Sequence, residues 1–176
     1  MEKTQKIYVI IETDVYSSDF QYINRLVGVY DDLTKAQEQA KKIFENNLLS
    51  IVRDEGDYEI VREDKYFDIY AIDDADNDTY NIRILEYDVC ISKDTSINDL
   101  KFILCTTIGN TEIIGVFNPN DNETIQTTFL EKKNILQEDY KHLDIMCDDD
   151  NNFEMFNEGY FYEEFVILSI TQVENL

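Results

Sequence analysis

One short pattern occurs twice in this chain: Leu26-Val27-Gly28-Val29-Tyr30 returns as Ile113-Ile114-Gly115-Val116-Phe117, two apolar residues, a glycine, a valine and an aromatic ring. Each copy is preceded by a mostly apolar run, residues 7–11 in the first case, rich in β-branched residues, and 101–105 in the second. Each is followed by a break of Asp and Asn, at Asp31-Asp32 or over 118–122. A strand ending and a break written twice in the same order point to two related units in tandem. The spacing predicts a first ββα-β unit over residues 1–91 and a second, shorter one over 92–176, with 92–99 as the linker. The fold class is α+β: two β-hairpin-plus-helix units forming mainly antiparallel sheet, with the helices packed on it.

The first unit is the more legible. Ile7-Tyr8-Val9-Ile10-Ile11 has no polar alternation, the pattern of a strand buried on both faces. It pairs with 22–30 across a long polar connection that includes Ser17-Ser18-Asp19. Asp31 or Asp32 then caps a helix whose apolar positions Leu33, Ala36, Ala40, Ile43, Phe44 and Leu48 recur at helical spacing. Beyond Asp54-Glu55-Gly56-Asp57, residues 58–61 read as a short edge strand, 66–72 as a better one, and 80–89 as a half-exposed strand. In the second unit 101–105 pairs with 112–117 across a turn at Gly109-Asn110. Residues 124–143 read as a helix through Ile125, Phe129, Leu136, Tyr140 and Leu143, although 124–129 also suits a strand by propensity. Residues 148–152 read as an exposed loop, and 160–173 as a closing strand with Phe165-Val166-Ile167-Leu168 at its core.

Charge narrows the partners. Acidic residues number 38 and basic ones 15, for a net charge of −23 over 176 residues, where a magnitude of about 2 to 8 suffices for solubility. With 12 Tyr and 10 Phe, and only one Pro, the chain is too aromatic for a disordered acidic tail. The charge is therefore carried on a folded surface, which disfavours direct contact with DNA, RNA or an anionic membrane and favours a basic partner. Cys90, Cys105 and Cys147 are odd in number and lack CxxC spacing, as expected of reduced thiols. No apolar run is long enough for a leader or a membrane span, so the expected compartment is the cytoplasm.

Signatures of chemistry are weak. Asp74, Asp76 and Asp78 have the spacing that opens a calcium loop, but Thr79 stands where the turn needs Gly and Leu85 where a bidentate Glu is needed. The reading is a solvated turn, with no metal and no cofactor. His142 is the single histidine, with no nucleophile near it in sequence, and reads with Lys141 as a helix C-terminal cation. Five glycines write neither a phosphate loop nor a dinucleotide fingerprint. No enzyme is expected.

After His142 the chain has no Lys or Arg, while Asp144, Asp148, Asp149, Asp150, Glu154, Glu158, Glu163, Glu164 and Glu174 supply nine acids. Phe153, Met155, Phe156, Tyr160, Phe161 and Tyr162 are interleaved with them. Aromatic anchors inside an acidic rim suit a protein interface, and the same mixture equally suits a half-buried strand whose aromatics are core. The expected partner-binding residues are Asp148, Asp149, Asp150, Glu154, Phe156, Tyr160, Glu163 and Glu164. In this abundance of Asp and Glu, and in the basic-free run that holds these acids, the chain resembles the acidic, phage-encoded inhibitors that imitate nucleic acid, of the anti-CRISPR and anti-restriction type. The resemblance is one of composition over the whole chain and implies an inhibitor that occupies the basic nucleic-acid-binding groove of a defence nuclease or effector complex in the host cytosol. The alternative is a small tandem-repeat adaptor of a mobile element, without mimicry.

Overall fold

The computed structural model describes residues 2–16, 21–51, 58–63, 68–73, 79–92, 94–107, 110–157 and 164–173. The chain divides into an N-terminal unit, Thr4–Val89, and a C-terminal unit, Cys90–Val173 with Glu2 and Lys3, so the first two residues of the first strand and the last three of the fifth fall across the division. The first unit comprises β1 (Glu2–Tyr16), β2 (Gln21–Tyr30), α1 (Leu33–Ile51), β3 (Tyr58–Glu63), β4 (Asp68–Asp73) and β5 (Thr79–Ser92). The second, after a short 3-10 turn at Ile97–Asp99, comprises β6 (Lys101–Thr107), β7 (Asn110–Phe117), α2 (Asn122–Asp139), β8 (Asp144–Asp148), β9 (Asn152–Phe156) and β10 (Phe165–Gln172). The strand orders are β2-β1-β5-β4-β3 and β7-β6-β10-β9-β8. These are one order written twice: a hairpin, a helix leading from one sheet edge to the other, then a meander whose last strand returns beside the first. The fold is α+β, with antiparallel pairing in both sheets.

The recurring glycine pattern has a physical content. In the first hairpin Ile10 faces Gly28 and Ile11 faces Leu26, so Val27 is an extra residue. In the second Ile103 faces Gly115 and Leu104 faces Ile113, so Ile114 is the extra one. Each is a β-bulge, which bends the strand and raises its twist. A β-carbon on Gly28 would stand 2.6 Å from Cε2 of Tyr30, and one on Gly115 would stand 2.5 Å from Cζ of Phe117. Residues i and i+2 share a sheet face, and in both units the ring lies over the space the glycine leaves open. Val27 and Tyr30 pack against the N-terminal core with Ile10, and Ile114 and Phe117 against the C-terminal core with Ile103. The bulge thus lies, in each unit, among residues that share a core with that unit's helix.

The helices begin in the same register. Ala36 donates its amide to Asp32 and Ile125 to Asp121, each the first helical bond at the fourth residue of its helix. Asp32 also caps α1, its carboxylate accepting the Lys35 amide at 3.0 Å. Asp121 makes no such cap; its carboxylate accepts from Asn118 instead. α1 buries Ala36, Ala40 and Phe44, and α2 buries Ile125, Phe129 and Leu136. The α1 residues share a core with Tyr80, Ile82 and Ile84 of β5, and the α2 residues share one with Phe153 and Met155 of β9 and Val166 and Leu168 of β10.

Of the two readings of 124–129 the helix holds, and Thr128 returns its hydroxyl to the Thr124 carbonyl at 2.9 Å, which accommodates a residue of strand propensity inside a helix. Other expectations are corrected. α2 ends at Asp139, short of 143, because Tyr140 closes the last helical bond to Leu136 and the Leu143 amide turns back to Tyr140, which sends Leu143 into the core. Lys141 and His142 therefore lie past the helix. The C-terminal unit is not the shorter in plan: the exposed loop read over 148–152 is the turn of a hairpin, and its strands β8 and β9 flank it. The turns sought at Ser17-Ser18-Asp19, Asp54-Glu55-Gly56-Asp57, Asp74 to Asp78 and Gly109 lie outside the described residues.

Candidate functional site

The acidic segment is built on the β8–β9 hairpin. β9 alternates, burying Phe153 and Met155 and leaving Glu154 and Phe156 half-buried. β8 lies outside it, at the end of the sheet order, with four of its five residues exposed. Asp149 closes the turn: its carboxylate accepts the Asn151 amide at 2.8 Å and the Asn152 amide at 2.7 Å, while its own amide donates to the Asn152 carbonyl at 2.9 Å. The two amide bonds hold this carboxyl below the usual carboxylate range. From α2, Gln126 donates to the Asp150 carbonyl at 3.2 Å. Lys133, only 14% exposed, pairs with Asp148 and holds its ammonium 5.2 Å from the centroid of the Phe153 ring.

The structure gives the predicted residues different tasks. Asp148, Asp149, Asp150 and Glu154 are together on one hairpin. Of these, Asp148 is engaged by Lys133 and Asp149 by the turn, so Asp150 and Glu154 present the least committed carboxylates of that set. Glu164 lies elsewhere, before β10, its carboxylate 2.7 Å from Nε2 of His142. Phe156 stacks on the buried Phe165 with centroids 6.0 Å apart, so part of its surface is already used within the sheet. Tyr160 and Glu163 lie outside the described residues. Phe153 is fully buried core.

Two residues of the surface were not singled out from sequence: Ile145 and Met146 of β8 are 50% and 54% exposed. β8 carries its own bulge, since Ile145 faces Met155 and Cys147 faces Glu154, with Met146 between. A signal was present in the run Ile145-Met146-Cys147 between acids, an apolar triplet with no alternation to bury it.

The cysteine chemistry here is subdued. Desolvation, then the negative charges of Asp149, Glu154 and Asp148, push the Cys147 thiol up, and burial does the same at Cys105. Both favour the thiol over the nucleophilic thiolate. Among the described residues no group of three His, Cys, Asp or Glu side chains is arranged to hold a metal ion, and no helix is long and apolar enough to cross a membrane. No protein-family profile, curated protein or solved structure matches the chain.

Proposed function

We propose that the protein is a binding protein without chemistry of its own, which places its anionic surface in the basic nucleic-acid-binding groove of a defence nuclease or effector complex and so excludes the nucleic acid. The observation that carries this reading is a charge of −23 on a folded chain. Within it, a stretch free of Lys and Arg supplies the outermost hairpin of a sheet, with Asp144, Asp148, Asp149, Asp150 and Glu154 on two adjacent short strands and their turn. Strands lie about 4.8 Å apart and alternate residues recur about every 6.8 Å along a strand, so such a hairpin offers carboxylates at the density at which a groove made for phosphates receives anions. An occluding protein needs surface only.

A second reading is favoured by the repeated topology. Two units of one strand order suit a small adaptor that presents related surfaces in tandem, with the acid a consequence of composition. Competition separates the two. Purified protein is bound to a basic, nucleic-acid-binding complex with and without that complex's DNA or RNA, over a range of salt. Occlusion predicts displacement by nucleic acid and an affinity that falls steeply with salt; tight binding indifferent to both selects the adaptor.

A further inference from the structure

β8 ends its sheet with its outer side open among the described residues. Natural sheets protect such edges by shortness, bulges and charge, since a row of free amides and carbonyls is a template for another strand. β8 has all three protections, five residues, a bulge at Met146 and acids at both ends, Asp144 and Asp148. Protection against every strand would not leave Ile145 and Met146 half exposed beside that edge. The devices select by charge: a second copy of this chain would bring acids against acids, which destabilises cross-strand pairs, whereas a strand bearing Lys or Arg would set cations against them.

We propose that the outer edge of β8 is a docking strand for an extended, Lys- or Arg-bearing segment of a partner protein, which adds to the C-terminal sheet beside β8 and rests its apolar residues on Ile145 and Met146. The inference deepens the proposed function and rests on it for the sign of the partner's charge. The backbone register fixes where pairing occurs. The Asp149 amide bonds inward to Asn152, and antiparallel pairs alternate between bonded and non-bonded, so Asp148, opposite Phe153, turns its amide and carbonyl outward. Main-chain bonds at Asp148 supply affinity, the exposed carboxylates of Asp144 and of Asp150 in the turn select the basic side chains while that of Asp148 stays with Lys133, and Ile145 with Met146 selects what lies between them.

The probe is a synthetic peptide of alternating Lys and Val, with a Glu and Val peptide as control. Asp148→Pro removes the outward amide without touching a bond to β9, a substitution that edge strands accept; Asp148→Ala removes the same carboxylate and keeps the amide. The expected result is that the Lys peptide binds and the Glu peptide does not, that Asp148→Pro binds about tenfold more weakly than Asp148→Ala, and that binding protects the Asp148 amide of the unaltered protein from hydrogen exchange. The exchange measurement stands even where the proline variant fails to fold. Binding that leaves this amide unprotected overturns edge docking. So does protection that grows with protein concentration without peptide, which would mark a second copy as the occupant. If DNA still competes for the basic complex while the Pro and Ala variants bind it equally, edge docking falls and groove occlusion stands; if neither peptide nor complex binds, the proposed function falls with it.

Discussion

The two units share a strand order, a bulge, a glycine under a ring and a helix register, yet their cores are built from different chemistry. Counting two residues on from Ile10 and Ile103, which face the two glycines, gives Glu12 in β1 and Cys105 in β6. Glu12 is 3% exposed, and its Oε1 accepts from the Tyr80 hydroxyl at 2.7 Å and from the Asn47 amide at 2.5 Å, while Arg25 approaches Oε2 at 3.4 Å. Cys105 instead joins Ile125, Phe129, Leu136, Phe153 and Leu168 in an apolar cluster. The topology therefore does not depend on what fills the core beneath it. It is specified by local devices, the bulge and the helix start, which agree in both units, and the core was free to diverge around them.

The largest effect should come from breaking that difference. Glu12→Ala removes the acceptor shared by Tyr80 and Asn47 within a buried network, which should cost about 3 kcal/mol. Cys105→Ala, at the matching position, removes one sulfur from an apolar core and should cost about 1 kcal/mol. Chemical denaturation of the two variants checks the ranking. Equal losses would mean that Glu12 contributes no more than its volume.

The glycines should show the shared part of the comparison. A β-carbon at Gly28 or Gly115 displaces the end of the Tyr30 or Phe117 ring, a flexible group that gives at modest cost. Gly28→Ala and Gly115→Ala should each lose about 1 kcal/mol, nearly the same in both units. Adding Tyr30→Ala or Phe117→Ala should make the alanine at the glycine position harmless, so each double-mutant cycle should return a coupling of about that size. A cost that persists without the ring would place the need for glycine in the bulge backbone instead.

The same contrast explains what the sequence made legible. The tandem plan could be read because Gly28 and Gly115 mark the same local device in both units, a bulge under a ring. The helix start could be read to within a residue, at Asp31 or Asp32, and the structure gives the cap to Asp32, whose carboxylate accepts the Lys35 amide. β8 and β9 escaped because their strands are five residues long. In Phe153-Glu154-Met155-Phe156 the two-residue period was visible, but a period does not say whether the apolar face meets a partner or the protein's own core. Phe153 and Met155 proved to be core, under Lys133 and α2. Glu12 was passed over within a polar connection, since its burial depends on Tyr80 and Asn47, 68 and 35 residues away.

The smallest expected effect lies in the turn of the acidic hairpin, and its sign follows from linkage. Asp149 accepts two backbone amides, so its folded carboxyl titrates lower than the same carboxyl in the unfolded chain. A depressed acid contributes stability that is complete above the unfolded value, about pH 4, and is lost as pH falls through the folded value. The turn should thus hold unchanged from neutrality down to about pH 5 and loosen only in stronger acid. Asp149→Asn keeps an oxygen acceptor but no titrating charge. It should be slightly less stable at neutral pH, and the difference from the unaltered protein should shrink as the solution is acidified. Amide exchange at Asn151 and Asn152, followed against pH, reads the turn directly, while the amides of Val9 and Ile10 in the N-terminal unit serve as a reference that Asp149→Asn should leave alone. A difference that widened in acid would show that Asp149 is not held by these two amides, and the hairpin would then owe its shape to Lys133, Gln126 and the packing of Phe153 alone.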